Sequence, residues 1–139
     1  MSYDAGWYLD IEMKVFSIVK ANLVAKLKSK YKDLNVTMDG ARDLDTKFPT
    51  VYVQTTSFEE IGADLVGDMI NGIKLTTQVD VIVTKSQGKR VADEVSLEVM
   101  NAFKGMYFKA TMPKLQFDSN GNVRTVSRFE RVFGNGDKL

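Results

Sequence analysis

From Ile73 to Thr84 the chain alternates strictly. Ile73, Leu75, Thr77, Val79, Val81 and Val83 fall on one side, and Lys74, Thr76, Gln78, Asp80, Ile82 and Thr84 on the other. Side chains of a strand point to opposite faces with a period of two, so this segment predicts a long strand with one nearly apolar face and one mainly polar face. A long strand that is solvated on one side favours an antiparallel sheet over a parallel one, whose strands are buried on both faces. The apolar face must be covered, and the flanking sequence offers two amphipathic helices to cover it.

The first helix is predicted from about Tyr8 to Tyr31. Ile11, Val15, Ile18 and Asn22, with the adjoining Val19, Leu23 and Leu27, recur at three- and four-residue spacing, while Glu12, Lys14, Lys20 and Lys28 lie largely off that stripe. The second is predicted from about Lys89 to Lys104, with Val91, Ala92, Val95, Val99, Ala102 and Phe103 on one face, Ser86 as its N-cap and Gly105 ending it. Between the helices a short strand is expected near Leu34 to Met38, and another over the β-branched and aromatic run Phe48 to Thr56, with Pro49 at its start. After the second helix, Met112 to Phe117 and Val123 to Phe133 flank the turn-rich Asp118-Ser-Asn-Gly-Asn122, which predicts a closing hairpin. Val126 and Phe129 have opposite parity, so a bulge is expected near Ser127. The chain has two prolines and no linker or repeat, so residues 1–139 read as one domain. The expected class is α+β, a mainly antiparallel sheet with two amphipathic helices packed on one face.

The composition removes whole chemistries. With no cysteine and no histidine there is no thiol nucleophile, disulfide framework, zinc finger or imidazole base. Only carboxylate, lysine, tyrosine or hydroxyl chemistry is left to an enzyme. The nearest paired carboxylates are Glu59-Glu60 and Asp43/Asp45, but adjacent residues of an extended segment point opposite ways and need not converge on one substrate. Gly67-Asp-Met-Ile-Asn-Gly72 has the glycine spacing of a phosphate loop, yet Ile73 stands where lysine is required and a strand follows where a helix is required. Asp118-x-Asn120-x-Asn122 imitates the opening of a calcium loop, but its glycine is at the fourth place and its twelfth residue is Phe129. No catalytic, metal or cofactor-binding residue is therefore assigned, and the chain is not expected to be an enzyme. The net charge of +1 argues against a generally basic nucleic-acid binder. Lys26, Lys28, Lys30 and Lys32 crowd the end of the first helix, where cations complement the helix dipole; a phosphate-binding stripe is the alternative. The amino terminus has no signal-peptide pattern, and no segment approaches the ~18 apolar residues of a membrane span. A soluble protein made in a cytoplasm is expected.

The most unusual segment is Ser57-Phe-Glu-Glu-Ile-Gly-Ala-Asp-Leu-Val-Gly-Asp-Met69, which reads as a loop between two strands. It has no Lys or Arg, yet carries Glu59, Glu60, Asp64 and Asp68 alongside Phe58, Ile61, Leu65, Val66 and Met69. Long loops inside a compact domain are usually functional or disordered, and disordered ones lack such apolar content. Either the loop folds its apolar groups onto the domain edge, with Ser57 and Glu60 as a capping box, or it is a protein-contact surface. Against it stands the basic last strand with Arg124, Arg128 and Arg131. Two unlike, complementary surfaces meeting head to tail generate rings or filaments. The candidate interaction residues are accordingly Phe58, Glu59, Glu60, Ile61, Asp64, Leu65, Arg124, Arg128 and Arg131.

The layout resembles the tail terminator (tail completion) proteins of long-tailed bacteriophages. The resemblance rests on the amino-terminal amphipathic helix, Lys47-Phe-Pro-Thr-Val-Tyr-Val53, and Ser57-Phe-Glu-Glu-Ile-Gly62 leading by Asn71-Gly72 into the strand Ile73 to Thr84. Gly88-Lys-Arg-Val-Ala-Asp-Glu-Val95, opening the second helix, completes it. It spans nearly the whole chain and rests on element order and residue style rather than on an invariant site. It implies a ring, usually a hexamer, that binds the end of the finished tail tube, stops its polymerisation and presents a surface to the head connector. The implied partners are further copies of the chain, the tail tube protein and a neck or connector protein, with no membrane, no cofactor and no sequence-specific nucleic acid, although DNA could pass through the ring lumen. The implied location is the virion, after assembly in the bacterial cytoplasm. The related neck and head-completion proteins are similar in size and habit, so a neck or head-tail connector adaptor is the alternative.

Overall fold

A computed structural model describes residues 6–38, 47–61, 72–134 and 137–139. The elements run α1 (Gly6–Leu27), β1 (Asn35–Thr37), β2 (Thr50–Ile61), β3 (Gly72–Thr84), α2 (Gly88–Gly105), β4 (Lys109–Ala110), β5 (Leu115–Ser119) and β6 (Asn122–Phe133). The strongly alternating segment is the centre of the sheet: β3 pairs antiparallel with β2 on one side and with β6 on the other. β1 adds in parallel to the outer side of β2, while β4 and β5 both add antiparallel to the outer side of β6. The class is α+β, with a mixed, mostly antiparallel sheet of six strands and two helices.

One buried cluster joins the layers. Leu75, Val79, Val81 and Val83 of β3 share it with Val51 and Val53 of β2, Phe129 and Phe133 of β6, and the buried stripes of both helices. In α2 the stripe is Ala92, Val95, Ser96, Val99, Ala102 and Phe103, the three- and four-residue steps of one helix face. In α1 it is Ile11, Val15, Val19, Leu23 and Leu27, while Ile18 is half-buried and Asn22 exposed. Four-residue steps advance about 40° each around a helix of 3.6 residues per turn, so this stripe winds around α1 instead of running straight along it.

Phe103 is the keystone of the carboxyl-terminal half. It stacks on Phe129 with ring centroids 4.5 Å apart and receives the edge of Phe108 at 5.1 Å, and Phe108 meets Phe133 at 5.7 Å. The end of α2 makes this possible. Tyr107 N–H donates to Lys104 C=O and Phe108 N–H to Phe103 C=O, the paired bonds of a Schellman motif, with the Phe103–Phe108 contact as its apolar component. The left-handed residue of the motif is Tyr107, at φ 64°, rather than a glycine. Gly105, expected to end the helix, is its last helical residue.

Three further expectations are corrected. The N-cap of α2 is Gln87, not Ser86; the Ser86 hydroxyl instead meets that of Thr84 at 3.0 Å. No bulge interrupts β6, whose register with β3 runs unbroken from Ile73↔Phe133 to Thr84↔Asn122. The bulge lies in β2, between Thr55 and Ser57, and β2 runs on to Ile61. Ser57 to Ile61 are thus strand residues paired with Thr76 to Gly72, not loop, and Ser57 and Glu60 form no capping box. The expected hairpin closes through Asn120 and Gly121, both at positive φ, the geometry that a two-residue type I′ turn demands.

Candidate interaction surfaces

The register sorts the candidate residues by face. Even-numbered β3 residues lie on the face away from the helices, opposite Ser57, Glu59 and Ile61 of β2 and the even-numbered residues of β6. Phe58 and Glu60 fall on the other side, opposite Leu75 and Ile73, with Phe58 packed against the core. Glu59 and Glu60 therefore point apart, as expected of adjacent strand residues. Asp64 and Leu65 lie outside the described residues, as do Val66, Asp68, Met69, Asp43 and Asp45.

The arginines divide in the same way. Arg124 and Arg128 are on the open face and Arg131 on the helix-bearing one, so they do not make a single basic surface. Each is engaged within the chain. Arg124 Nε lies 3.5 Å from Asp80 Oδ2, an ion pair without hydrogen-bond geometry. Arg128 Nε donates to Gln78 Oε1 at 2.9 Å, and Gln78 Nε2 in turn donates to Asp80 Oδ1 at 3.0 Å. Arg131 donates to the carbonyls of Met106 and Lys138, with its guanidinium 4.2 Å from the Phe133 ring centroid. A second chain of charges crosses the open face: Glu59 and Lys74 at 4.0 Å, Lys74 and Glu130 at 3.2 Å, and Glu130 and Lys109 at 3.6 Å. Among the described residues acid and base thus interleave across the sheet, and the expected opposition of an acidic segment to three free arginines is not found.

The sequence reading missed the other sheet edge. β5 carries Leu115 and Phe117, 53% and 46% exposed, on the open face opposite Val126 and Arg124. The signal was present in the alternation of Leu115-Gln-Phe117 beside an Asn-Gly turn, but apolar alternation does not say which strand of a sheet is outermost. Behind this edge, on the helix side, Leu97 and Met100 of α2 face Met112, Pro113 and Phe129 across a cleft of about 550 Å³. A second cleft is lined by Lys20, Lys28, Lys32 and Lys47 beside Asp33, and Lys28 Nζ there donates to Leu34 C=O at 2.9 Å.

The two helices are clasped at the end of α1. Lys26 pairs with Glu98 at 3.3 Å, Lys30 with Glu94 at 2.6 Å, and the Tyr31 hydroxyl donates to the other Glu94 oxygen. The hydrogen bond from Lys30, joined by that from Tyr31, holds the Glu94 carboxyl below its ordinary value of 4.5. Its bond to Glu94 raises Lys30, while Tyr31 is raised above 10.0 mainly by burial and also by its bond to Glu94. A lowered carboxyl contributes stability that is present above its unfolded value and lost as pH falls through the folded one; a raised tyrosine or lysine loses its contribution as pH climbs past its folded value. Thermal melts are expected to show a plateau between these limits. Glu94→Gln should lower melting on the plateau by a small amount, as befits a surface cluster, and flatten the acid limb. An acid limb identical in the variant and the parent would remove Glu94 from this role.

Among the described residues no group of three or more potential ligands is placed to hold a metal ion, and no helix is long and apolar enough to cross a membrane. What these residues offer is surface: a sheet face that is charged and accessible around Lys74, Gln78 and Arg128, but on which Thr50, Asp80 and Ile82 are buried. Compared with known proteins, the chain matches no family model and no curated protein.

Proposed function

We propose that the protein is a structural assembly component of a long-tailed bacteriophage: a ring-forming tail terminator, usually hexameric in such phages, that caps the tail tube, ends its polymerisation and joins the tail to the neck. The observation that carries this reading is the order of elements. Helix, short strand, long strand, long central strand, helix and closing hairpin is the order on which the resemblance to tail terminators rests. A sheet with two dissimilar ends also suits head-to-tail closure better than two-fold pairing. In this reading the partners are other copies of the chain, the tail tube protein and a connector protein. DNA passes through the lumen without being read, and the assembled ring belongs to the virion. The Ser57–Ile61 end of β2 remains the proposed neighbour or tube contact.

The test is direct. Purified protein added to polymerising tube protein is expected to give rings at tube ends in negative stain and to shorten the tubes as its concentration rises. A chain that stays monomeric by light scattering at high concentration and leaves tube length unchanged overturns the proposal. A neck adaptor would instead capture portal-side proteins and ignore the tube, so a pull-down with both partners separates the two readings.

A further inference from the structure

We propose that two copies of the free chain pair through β5, edge against antiparallel edge, about a two-fold axis at Phe117. The contact is independent of the ring reading: it uses the same edge in both copies, so it is complete at two and neither closes a ring nor needs one.

β5 is exposed along its length. Every residue from Pro113 to Asp118 is exposed, and β6 is the only strand among the described residues that pairs with β5. Ser119 and Asn122 flank the two-residue turn and exchange hydrogen bonds, so the antiparallel alternation turns Phe117 and Leu115 inward to β6 as well. The backbone N–H and C=O groups of Gln116 and Asp118 are left pointing outward. An edge of this kind is normally blunted by proline, by an inward-pointing charge or by a covering loop. Leu115 to Phe117 has neither proline nor charge, and its two large apolar side chains stand exposed on one face.

The occupant follows from the symmetry of the strand. Placing Phe117 opposite Phe117 of the second copy pairs the whole of Leu115–Ser119, with Leu115 opposite Ser119 and Gln116 opposite Asp118. The outward groups of Gln116 and Asp118 then meet as hydrogen-bonded pairs on either side of the axis. Phe117 meets its counterpart in the closer, non-hydrogen-bonded kind of pair, and Leu115 of each copy lies diagonally beside it, so both apolar side chains leave water together. On the other side of the strand each Gln116 amide faces an Asp118 carboxylate. That carboxylate has no hydrogen-bond or ion-pair partner among the described residues. The Gln116 amide nitrogen donates to Thr125 Oγ1 at 3.0 Å and has a second N–H to give. A register centred on Gln116 would leave Ser119 unpaired and call on Lys114, whose ammonium already meets Asp93 at 2.9 Å.

The chain contains no cysteine, so an introduced thiol is the only one present. Phe117→Cys sets two thiols in a pair whose Cα separation, about 4.5 Å, lies within disulfide reach. Under mild oxidation it is expected to run at twice the 15.6 kDa of one chain. Asp118→Cys alone falls on a diagonal of about 7–8 Å and should not bridge. An equimolar mixture of Gln116→Cys and Asp118→Cys should bridge, with Phe117 left intact. Without oxidant, the concentrated parent is expected to sediment as a dimer. Gln116→Pro removes an outward N–H and no bond to β6, so it should keep the circular dichroism of the parent and sediment as one chain. A parent that sediments as one chain at high concentration, a folded Gln116→Pro that stays dimeric, or a bridge in Asp118→Cys but not in Phe117→Cys overturns the proposal. Rings in which Phe117→Cys forms no bridge also overturn it, while leaving the ring reading intact.

Discussion

Phe103→Ala is expected to lower the unfolding free energy by about 4 kcal/mol, near the upper end for a single core truncation. The ring is fully buried, and it stacks on Phe129 and receives the edge of Phe108, so removing it deletes a large apolar group and two aromatic contacts at once. The cavity cannot refill easily. Phe108 is held by the Schellman turn and Phe129 by its register against Thr77, so neither backbone is free to collapse inward. For a chain of this length the loss corresponds to a melting temperature lower by roughly 12–15 °C. Urea denaturation followed by circular dichroism measures it. A loss near 1 kcal/mol would mean that the aromatic cluster is not what joins α2 to the sheet.

Asp80→Ala is expected to cost about 2 kcal/mol although Asp80 stands on the open face. Its side chain is only 6% exposed, it accepts the hydrogen bond from Gln78, and it is the counter-ion of Arg124, whose own side chain is 25% exposed. Truncation leaves a mostly buried guanidinium without its partner, and that uncompensated charge is what carries the cost. The double variant Asp80→Ala with Arg124→Met removes both charges and is expected to recover about half of the loss. Chemical denaturation of the two single variants and the double one completes the cycle. Additive effects within about 0.3 kcal/mol would show the pair to be uncoupled.

The elements themselves were legible because the chain is locally consistent. The period-two run of β3, the three- and four-residue steps of α2 and the Asn-Gly turn are each found in place, but the expected solvated face of β3 holds only as far as Gln78: from Val79 to Val83 the strand is buried on both faces, Asp80 and Ile82 included. What was not legible depends on tertiary context. The opposite parity of Val126 and Phe129 suggested a bulge, but no bulge is needed where both faces of a strand carry apolar residues: Phe129 enters the core and Val126 sits on the open face beside Leu115. The parallel pairing of β1 likewise has no local signature in three residues. The end of α2 misled for a different reason. Glycine is the usual left-handed terminator, and here Tyr107 adopts that conformation with Arg131 stacked 5.7 Å from its ring centroid.

The candidate surface was legible in composition and not in geometry. Glu59, Glu60, Arg124, Arg128 and Arg131 are all present as charges, but whether a charge is free depends on neighbours brought together across strands. Arg128 meets Gln78 across fifty positions of sequence, and Glu130 gathers Lys74 and Lys109 from two other strands. Counting charges along a segment cannot reveal such pairs. The β5 edge escaped notice because exposure of Leu115 and Phe117 follows from strand order, which periodicity does not encode.

The extra residue in β2 has a reach well beyond its own position. Val51, Val53 and Thr55 point toward the helices, and an uninterrupted strand would carry Ser57, Glu59 and Ile61 onto that same side. With Thr56 inserted, the parity reverses: Phe58 takes the inward place, and Glu59 comes out beside Lys74. Loss of that single codon would thus invert the outer third of the strand without altering any of its side chains. The identity of the carboxylate that meets Lys74 is in this sense a property of spacing, and length variation at Thr56 would re-address that face more sharply than most substitutions within it.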